Sequence, residues 1–329
     1  MNFLKKQAKY ILAGAFNILL FYCLISWLVQ NIHLHSLWSE MTRVKFFSFS
    51  LVALFEIFIS FVYASRLKLL LSVPFLQAWS IISIGNGLNN VLPFRMGDIL
   101  RIYYGKHYYN VQLDKLIAAT FMERYCDLIL LLMIGFTAVL TGPKLYDTAF
   151  IYILSILFTC GVLSIVIYRS LITPYSWLQR LCCRSTVMTG FLESLTGIIS
   201  SKTRKHILLL TAFIWLGTVC IYYVFFSVNL PAGEMTIRTA AILCFTTTLA
   251  FAIPYVVAGI GIFESAIIYY LIHFLHIAPT YAVALALVYH FMFALPQIIL
   301  MGVVFILRKM RTVKPNLIAP VKNPESNVV

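Results

Sequence analysis

Six stretches of this chain are predominantly apolar for about 20 residues or more: residues 11–29, 46–65, 117–141, 148–168, 207–228 and 280–307. At a rise of about 1.5 Å per residue, each is long enough as a helix to cross a hydrocarbon core about 30 Å thick. A chain in lipid must satisfy its backbone polar groups internally, which restricts it to helices or closed barrels. Runs of this length select helices. Composition agrees, because 61% of the 329 residues are hydrophobic and only 11% are charged. Soluble domains carry about 25% charged residues. The expected class is an all-α integral membrane protein, a polytopic helical bundle over residues 1–314 with a short cytoplasmic tail at 315–329.

The net charge of +14 would suggest nucleic acid in a soluble protein. Here it reads as basic loops on the cytoplasmic side, and no nucleic-acid partner is expected. Lys5, Lys6 and Lys9 precede the first run, which lacks a small-x-small cleavage site and so reads as a retained span. Arg308, Lys309, Arg311 and Lys314 follow the last run. Both termini are therefore expected in the cytoplasm. The basic loop 169–206 belongs to the same side, with an amphipathic surface helix around 174–200. Seven cysteines are scattered with no C-x-x-C, so neither a disulfide framework nor a zinc site is indicated.

Two apolar stretches are interrupted. Residues 69–94 contain Pro74, Gly85, Asn86, Gly87, Asn89, Asn90 and Pro93. Basic residues flank them: Arg66 and Lys68 before, Arg95, Arg101, Lys106 and Lys115 after. A simple crossing would leave one basic group outside, so the segment is expected to be re-entrant, dipping in and returning. Residues 236–276, with Pro254, Gly259 and Gly261, form either a second re-entrant pair or two full spans.

A weak internal similarity links two segments, starting at Val111 and Ile277. Without gaps Ala118 meets Ala284, and Glu123–Arg124 meet Tyr289–His290. Each copy follows a broken apolar segment that ends in an acid, Asp98 in one and Glu264 in the other. The two copies should run in opposite directions. Broken segments at matching places in opposed halves imply an inverted repeat with a site near the midplane.

Three polar clusters are candidates for that site, since charges within spans are costly and usually functional. The first is Asn86, Asn89, Asn90, Pro93, Arg95, Gly97, Asp98 and Arg101. Pro93 stops one helix, the asparagines can serve the freed backbone groups, and Gly97–Asp98 can start another. Arg95 and Arg101 supply guanidinium forks suited to phosphate, and Asp98 can pair with Arg101. The second cluster is Glu123, Arg124 and Asp127, for which Arg95 or Arg101 are the expected partners. A purely structural ion-pair network accounts for it equally well. The third is Gly259, Gly261 and Glu264, where the glycines allow close packing or approach to a ligand. Glu56 is a further acid in mid-span. No metal-ligand spacing, cofactor motif or catalytic motif is found.

The run GNGLNNVLPFRMGDILR, followed by FMERYCDLILLL, resembles the lysylphosphatidylglycerol synthase transmembrane (flippase-like, UPF0104) family. The shared pattern is Asn89-x-x-x-Pro93-x-Arg95-x-Gly97-Asp98-x-x-Arg101, then Glu123-Arg124-x-x-Asp127. The later AGIGIFES and ALALVYHFMFALP are similar to that family's second motif. There Ala258 stands where glycine is frequent, and His290 where arginine is usual. The resemblance implies an integral membrane protein that moves an anionic phospholipid or a lipid-linked saccharide across the cytoplasmic membrane, and short loops with no N-x-S/T sequon and no organellar signal point to a bacterial inner membrane. No cofactor is implied, and His290 joins the candidate residues. An enzyme of lipid biosynthesis, encoded separately, would be the natural partner. The soluble aminoacyl-transferase domain of the two-part synthases is not expected in this chain. Two other roles suit the same residues: a membrane-embedded transferase that uses a lipid carrier, and a non-transporting scaffold of an envelope lipid or polysaccharide biosynthesis complex.

Overall fold

The structure is a computed structural model. It describes residues 22, 26, 34–140, 186–200, 202–252 and 259–312. Among these residues every regular element is a helix, ten in all. The expected span at 11–29 apart from residues 22 and 26, the span at 148–168, residues 169–185, Pro254 and the tail lie outside the described residues.

In chain order the helices are α1 (Leu34–Arg43), α2 (Phe46–Leu71), α3 (Phe75–Asn89), α4 (Met96–Tyr109), α5 (Leu113–Leu140), α6 (Thr186–Ser200), α7 (Arg204–Asn229), α8 (Ile237–Ala252), α9 (Ile262–Leu275) and α10 (Pro279–Thr312). Helices α2, α7 and α10 are long and apolar enough to cross a membrane. At 28 residues α5 is equally long, but it carries Asp114, Lys115, Glu123, Arg124 and Asp127. Breaks fall where local chemistry dictates. Helix α2 ends at Ser72 in the left-handed region, and Pro74 precedes α3. Pro279 opens α10, a position where its missing N–H costs nothing.

Helices α3 and α4, of 15 and 14 residues, each reach only about 21–23 Å. They form an antiparallel hairpin. Going up α4, Gly97 lies against Asn89 and Gly85, Arg101 against Gly85, and Gly105 against Ile81. The re-entrant reading of 69–94 therefore needs its boundaries moved. Helix α2 runs on to Leu71, the returning limb is α4, and the turn is Asn90–Arg95. Arg95 stands at the hairpin tip and Arg101 partway down a limb, rather than at the cytoplasmic face beyond it.

Helices α8 and α9 form a second hairpin of 16 and 14 residues, too short for two full spans. The two hairpins open at opposite ends. The C-terminal end of α2 shares a core with the start of α7 through Leu67, Leu70 and Ile207, and α3 follows directly from that end. At the other end Asn229, closing α7, donates to Ser48 Oγ (3.1 Å) and accepts from the Lys45 amide (3.0 Å). The Tyr281 hydroxyl, at the start of α10, donates to the Asn229 carbonyl. Helix α9, three residues before α10, therefore closes at this second end.

The halves α2–α5 and α7–α10 thus repeat one order, long helix, hairpin, long helix, with inverted polarity. Packing follows the same symmetry. Helix α5 lies on α8 and α10 on α3, with Gly135 against Phe245 and Gly87 against Met301. Large apolar side chains such as Leu54, Phe58, Ile99, Phe213 and Leu216 remain exposed on the outer faces, where lipid is the solvent.

Candidate functional site at the hairpin tip

The first two polar clusters meet in one place. Helix α5 brings Glu123 and Arg124 on one turn and Asp127 on the next, and α4 brings Asp98 and Arg101. Helix α2 contributes Arg66, which the sequence reading used only as a marker of sidedness. The six side chains close a ring in which acids and arginines alternate. Asp98 meets Arg101 (3.4 Å), Arg101 meets Glu123 (2.9 Å), and Glu123 meets Arg66 (3.5 Å). Arg66 meets Asp127 (2.6 Å), Asp127 meets Arg124 (3.9 Å), and Arg124 returns to Asp98 (2.6 Å). Three edges are within hydrogen-bonding distance and three are looser, so the ring is held by charge as much as by directed bonds.

Burial gives these contacts weight. Arg66 is 1% exposed, Arg101 and Glu123 2%, and Asp127 6%. An isolated charge at such depth would cost several kcal/mol, which the alternation of signs offsets. Arg66 is held most fully. It donates to both oxygens of Asp127 (2.6 and 3.1 Å) and to Thr211 Oγ1 (3.1 Å). The Trp215 indole N–H adds a donor to Asp127 (3.1 Å). Of the two partners expected for these acids, Arg101 takes the role and Arg95 does not. Arg66 and Trp215 were missed. Arg66 could have been suspected, since it sits in the last turns of an otherwise apolar helix. Nothing in the sequence pointed to Trp215.

Three arginines against three carboxylates leave the ring neutral, and Arg95 stands beside it as surplus. It precedes α4 with φ +51°, next to Phe94 at +61°. Two consecutive non-glycine residues in the left-handed region cost about 1 kcal/mol or more each, strain of the kind that gathers at functional sites. Arg95 Nε is buried without a hydrogen-bond partner, as are Arg101 Nη2 and Asn89 Oδ1. The charges that act on Arg95 include Arg124, Asp98 and Asp127.

The asparagines divide in role. The Asn90 amide group donates to the Asn86 carbonyl (2.9 Å) and to Gln297 Oε1 on α10 (2.9 Å). Gln297 in turn donates to Glu56 on α2 (3.1 Å). Gln297 follows Pro296, which breaks the backbone ladder of α10. Glu56 thus meets an amide, and among the described residues no ion pair reaches it. Asn89 lies at the limit of a bond to Asp98 (3.5 Å). Pro93 occupies the turn. Gly97 is required by space, because a Cβ there would overlap the Gly85 carbonyl oxygen and sit 2.7 Å from the Asn89 amide nitrogen.

The third cluster is separate. Gly259 and Gly261 have φ of +73° and +93°, a backbone that only glycine adopts freely. The Gly261 N–H donates to Glu264 Oε2 (2.7 Å), and Glu264 Oε1 is 2.6 Å from His290 Nδ1. Phe251, Phe263 and Phe293 wall this pair. The glycines therefore turn the backbone of the second hairpin and anchor its acid.

The two acid–base pairs correspond. Asp98 with Arg124 and Glu264 with His290 are each 26 residues apart, and each is 2.6 Å long. The alignment that lays Ala118 on Ala284 lays one pair on the other. It also lays Glu123 on Tyr289, which packs among Tyr222, Phe225 and Phe226. One half thus has an ionic ring where the other has an aromatic cluster.

Residues 14–300 match the profile of the family described as lysylphosphatidylglycerol synthase TM region. The chain belongs to that family. Neither a curated protein nor a solved structure matches it. The matched region of this lysylphosphatidylglycerol synthase TM protein takes in both hairpins, all six ring residues and the Glu264–His290 pair. The motif read from α3 to α5 supplies five of the six ring residues and the adjoining Arg95, and Arg66 comes from α2.

Proposed function

We propose that this family member moves an anionic phospholipid or lipid-linked saccharide between the leaflets of the cytoplasmic membrane. Both termini lie in the cytoplasm on this reading. One observation carries it: Arg95 is a surplus positive charge at the tip of a re-entrant hairpin, beside a ring that is already neutral. An anion completes that site, and a phosphate headgroup suits a guanidinium fork. The role foreseen for Arg101 changes accordingly. Its Nη1 is committed to Glu123 and its Nε lies 3.4 Å from Asp98 without a hydrogen bond, which leaves Nη2 with no contact of its own to share a ligand. Acyl chains can stay in lipid while the headgroup passes the short hairpin limbs. The lipid leaves chemically unaltered, and the enzyme that makes it is a separate protein.

The test is a leaflet-resolved assay in vesicles holding the full-length protein and a fluorescent anionic phospholipid. Arg95→Ala should lose headgroup transfer at unchanged thermal midpoint, and Arg95→Lys should keep part of it. Transfer by Arg95→Ala at the wild-type rate would overturn the assignment. Recovery of a chemically altered lipid would favour a transferase instead.

A further inference from the structure

One buried acid stays outside the ring. Glu56 lies ten residues into α2, about 15 Å from its start, and is 5% exposed. Gln297 Nε2 on α10 donates to its Oε2 (3.1 Å). Among the described residues no cation pairs with it. Arg66, ten residues further along α2, is committed to Asp127, and His290, two turns before Gln297, to Glu264. Helix α5 offers Glu123 and Asp127, themselves tied to arginines. Tyr63 on α2, Tyr222 on α7 and Tyr289 on α10 share its electrostatic surroundings, and a phenol is neutral near pH 7.

The first hairpin reaches Glu56 only through the amides of Asn90 and Gln297, and their direction is fixed. The Asn86 carbonyl can only accept, so Asn90 Nδ2 faces it (2.9 Å), and the same nitrogen donates to Gln297 Oε1 (2.9 Å). Gln297 therefore turns its nitrogen, not its oxygen, toward Glu56. A hard metal cation wants a shell of oxygens, and here an N–H stands beside the carboxylate instead. A bare carboxylate at this depth is costly and is neutralised rather than left charged. A proton needs only one carboxylate oxygen, and Gln297 occupies the other.

We propose that Glu56 is a proton-binding site at the junction of the two halves. One proton added to the carboxylate gives a carboxylic acid with the hydrogen on Oε1, while Oε2 keeps its bond from Gln297. Releasing it leaves an uncompensated carboxylate between α2 and α10, tolerable only where water reaches it. Proton exchange therefore requires α2 to part from α10. Pro296, one residue before Gln297, is where α10 can bend. The same movement pulls on Asn90, which opens the turn that carries Arg95, so the proton is linked to the position of the hairpin tip. That link bears on headgroup movement only if the transport reading holds, whereas the proton site stands without it.

Infrared spectroscopy of the full-length protein in lipid nanodiscs tests the site without any transport. At pH 7 exposed carboxylates are ionised, so a carboxylic-acid carbonyl band that moves in heavy water reports a buried protonated acid. The wild type should show such a band, and Glu56→Gln should lose it. Gln297→Leu, which deletes the donor to Oε2, should move the band to higher frequency, because a carbonyl freed of a hydrogen bond stretches faster. No band in the wild type, or a band unchanged in both variants, would overturn the site. A band unmoved in Gln297→Leu would do so even if Glu56→Gln failed to fold. The link to the hairpin tip is tested in vesicles with the fluorescent anionic phospholipid. A tenfold proton gradient should change the wild-type rate of headgroup transfer several-fold and leave that of Glu56→Gln unmoved, and a sodium gradient should affect neither. Wild-type transfer that ignores the proton gradient would overturn the link, and transfer that follows sodium would overturn the proton as occupant. A wild type that transfers no lipid overturns the transport reading and the link with it, while the infrared band still decides the proton site.

Discussion

Replacing Arg66 by methionine is the sharpest test of the ring as a unit. The substitution keeps an unbranched, buried side chain but deletes the donors to Asp127 (2.6 and 3.1 Å) and to Thr211 (3.1 Å), with the contact to Glu123 at 3.5 Å. The ring then holds three carboxylates against two arginines. Glu123 keeps Arg101 at 2.9 Å, whereas Asp127 is left with the Trp215 N–H and Arg124 at 3.9 Å. Removing one partner of a buried pair costs about 3–5 kcal/mol, because the other is left buried and uncompensated. At about 1.4 kcal/mol per decade, the unfolding equilibrium should shift by roughly two to three and a half powers of ten. The assay is equilibrium unfolding of purified protein by denaturing detergent in mixed micelles, followed by tryptophan fluorescence or circular dichroism. If the cost is the orphaned charge, Asp127→Asn in the Arg66→Met background should recover about half or more of it, giving a favourable coupling in the double-mutant cycle. A cost below about 1 kcal/mol for the single variant, or a double variant no more stable than the single, would refute the reasoning.

The remaining predictions test other joints of the same fold. Gly97→Ala forces a methyl group onto the Gly85 carbonyl and should separate the hairpin limbs, costing about 3 kcal/mol or more, read as a lowered thermal midpoint. A midpoint within error of wild type would mean that the limbs are not packed as described. Glu56→Gln should be neutral within about 1 kcal/mol in the same unfolding assay, because Glu56 meets the Gln297 amide and no arginine. A loss above about 2 kcal/mol would point to a cationic partner. His290→Ala should destabilise by about 2–4 kcal/mol, since Glu264 loses its 2.6 Å partner in a buried aromatic pocket. His290→Arg, which copies Arg124 at the corresponding place, should retain most of that stability, and the two midpoints are to be compared directly.

Much of this architecture could be read from one-dimensional pattern. The described spans begin and end within a few residues of the apolar runs, apart from the extension of α2 to Leu71. Burial in lipid leaves so little choice of secondary structure that run length alone decides it. The breaks at Pro74 and Asn90–Pro93 were legible because proline cannot continue a helix through its own position, whereas the left-handed backbone at Ser72, Phe94 and Arg95 was not. The inverted repeat was visible only as a trace. Asp98 and Glu264 end corresponding broken segments, and the same alignment lays Arg124 on His290. Three-dimensional pairing turned that trace into two matched acid–base contacts.

What the sequence determined by itself was therefore everything set by contacts near in the chain: helix, break, and which segments hold charge. Only the tertiary structure decided who neutralises whom. Arg66 and Asp127 are 61 residues apart, Trp215 and Asp127 are 88, and Gln297 and Glu56 are 241. Such partnerships depend on how three or four helices pack, and a residue's type does not encode its distant neighbour. That is why Arg95 and Arg101, alike as neighbours in a motif, part in the fold. Packing places Arg101 between Asp98 and Glu123, and it leaves Arg95 strained at the tip beside a ring whose charges already cancel.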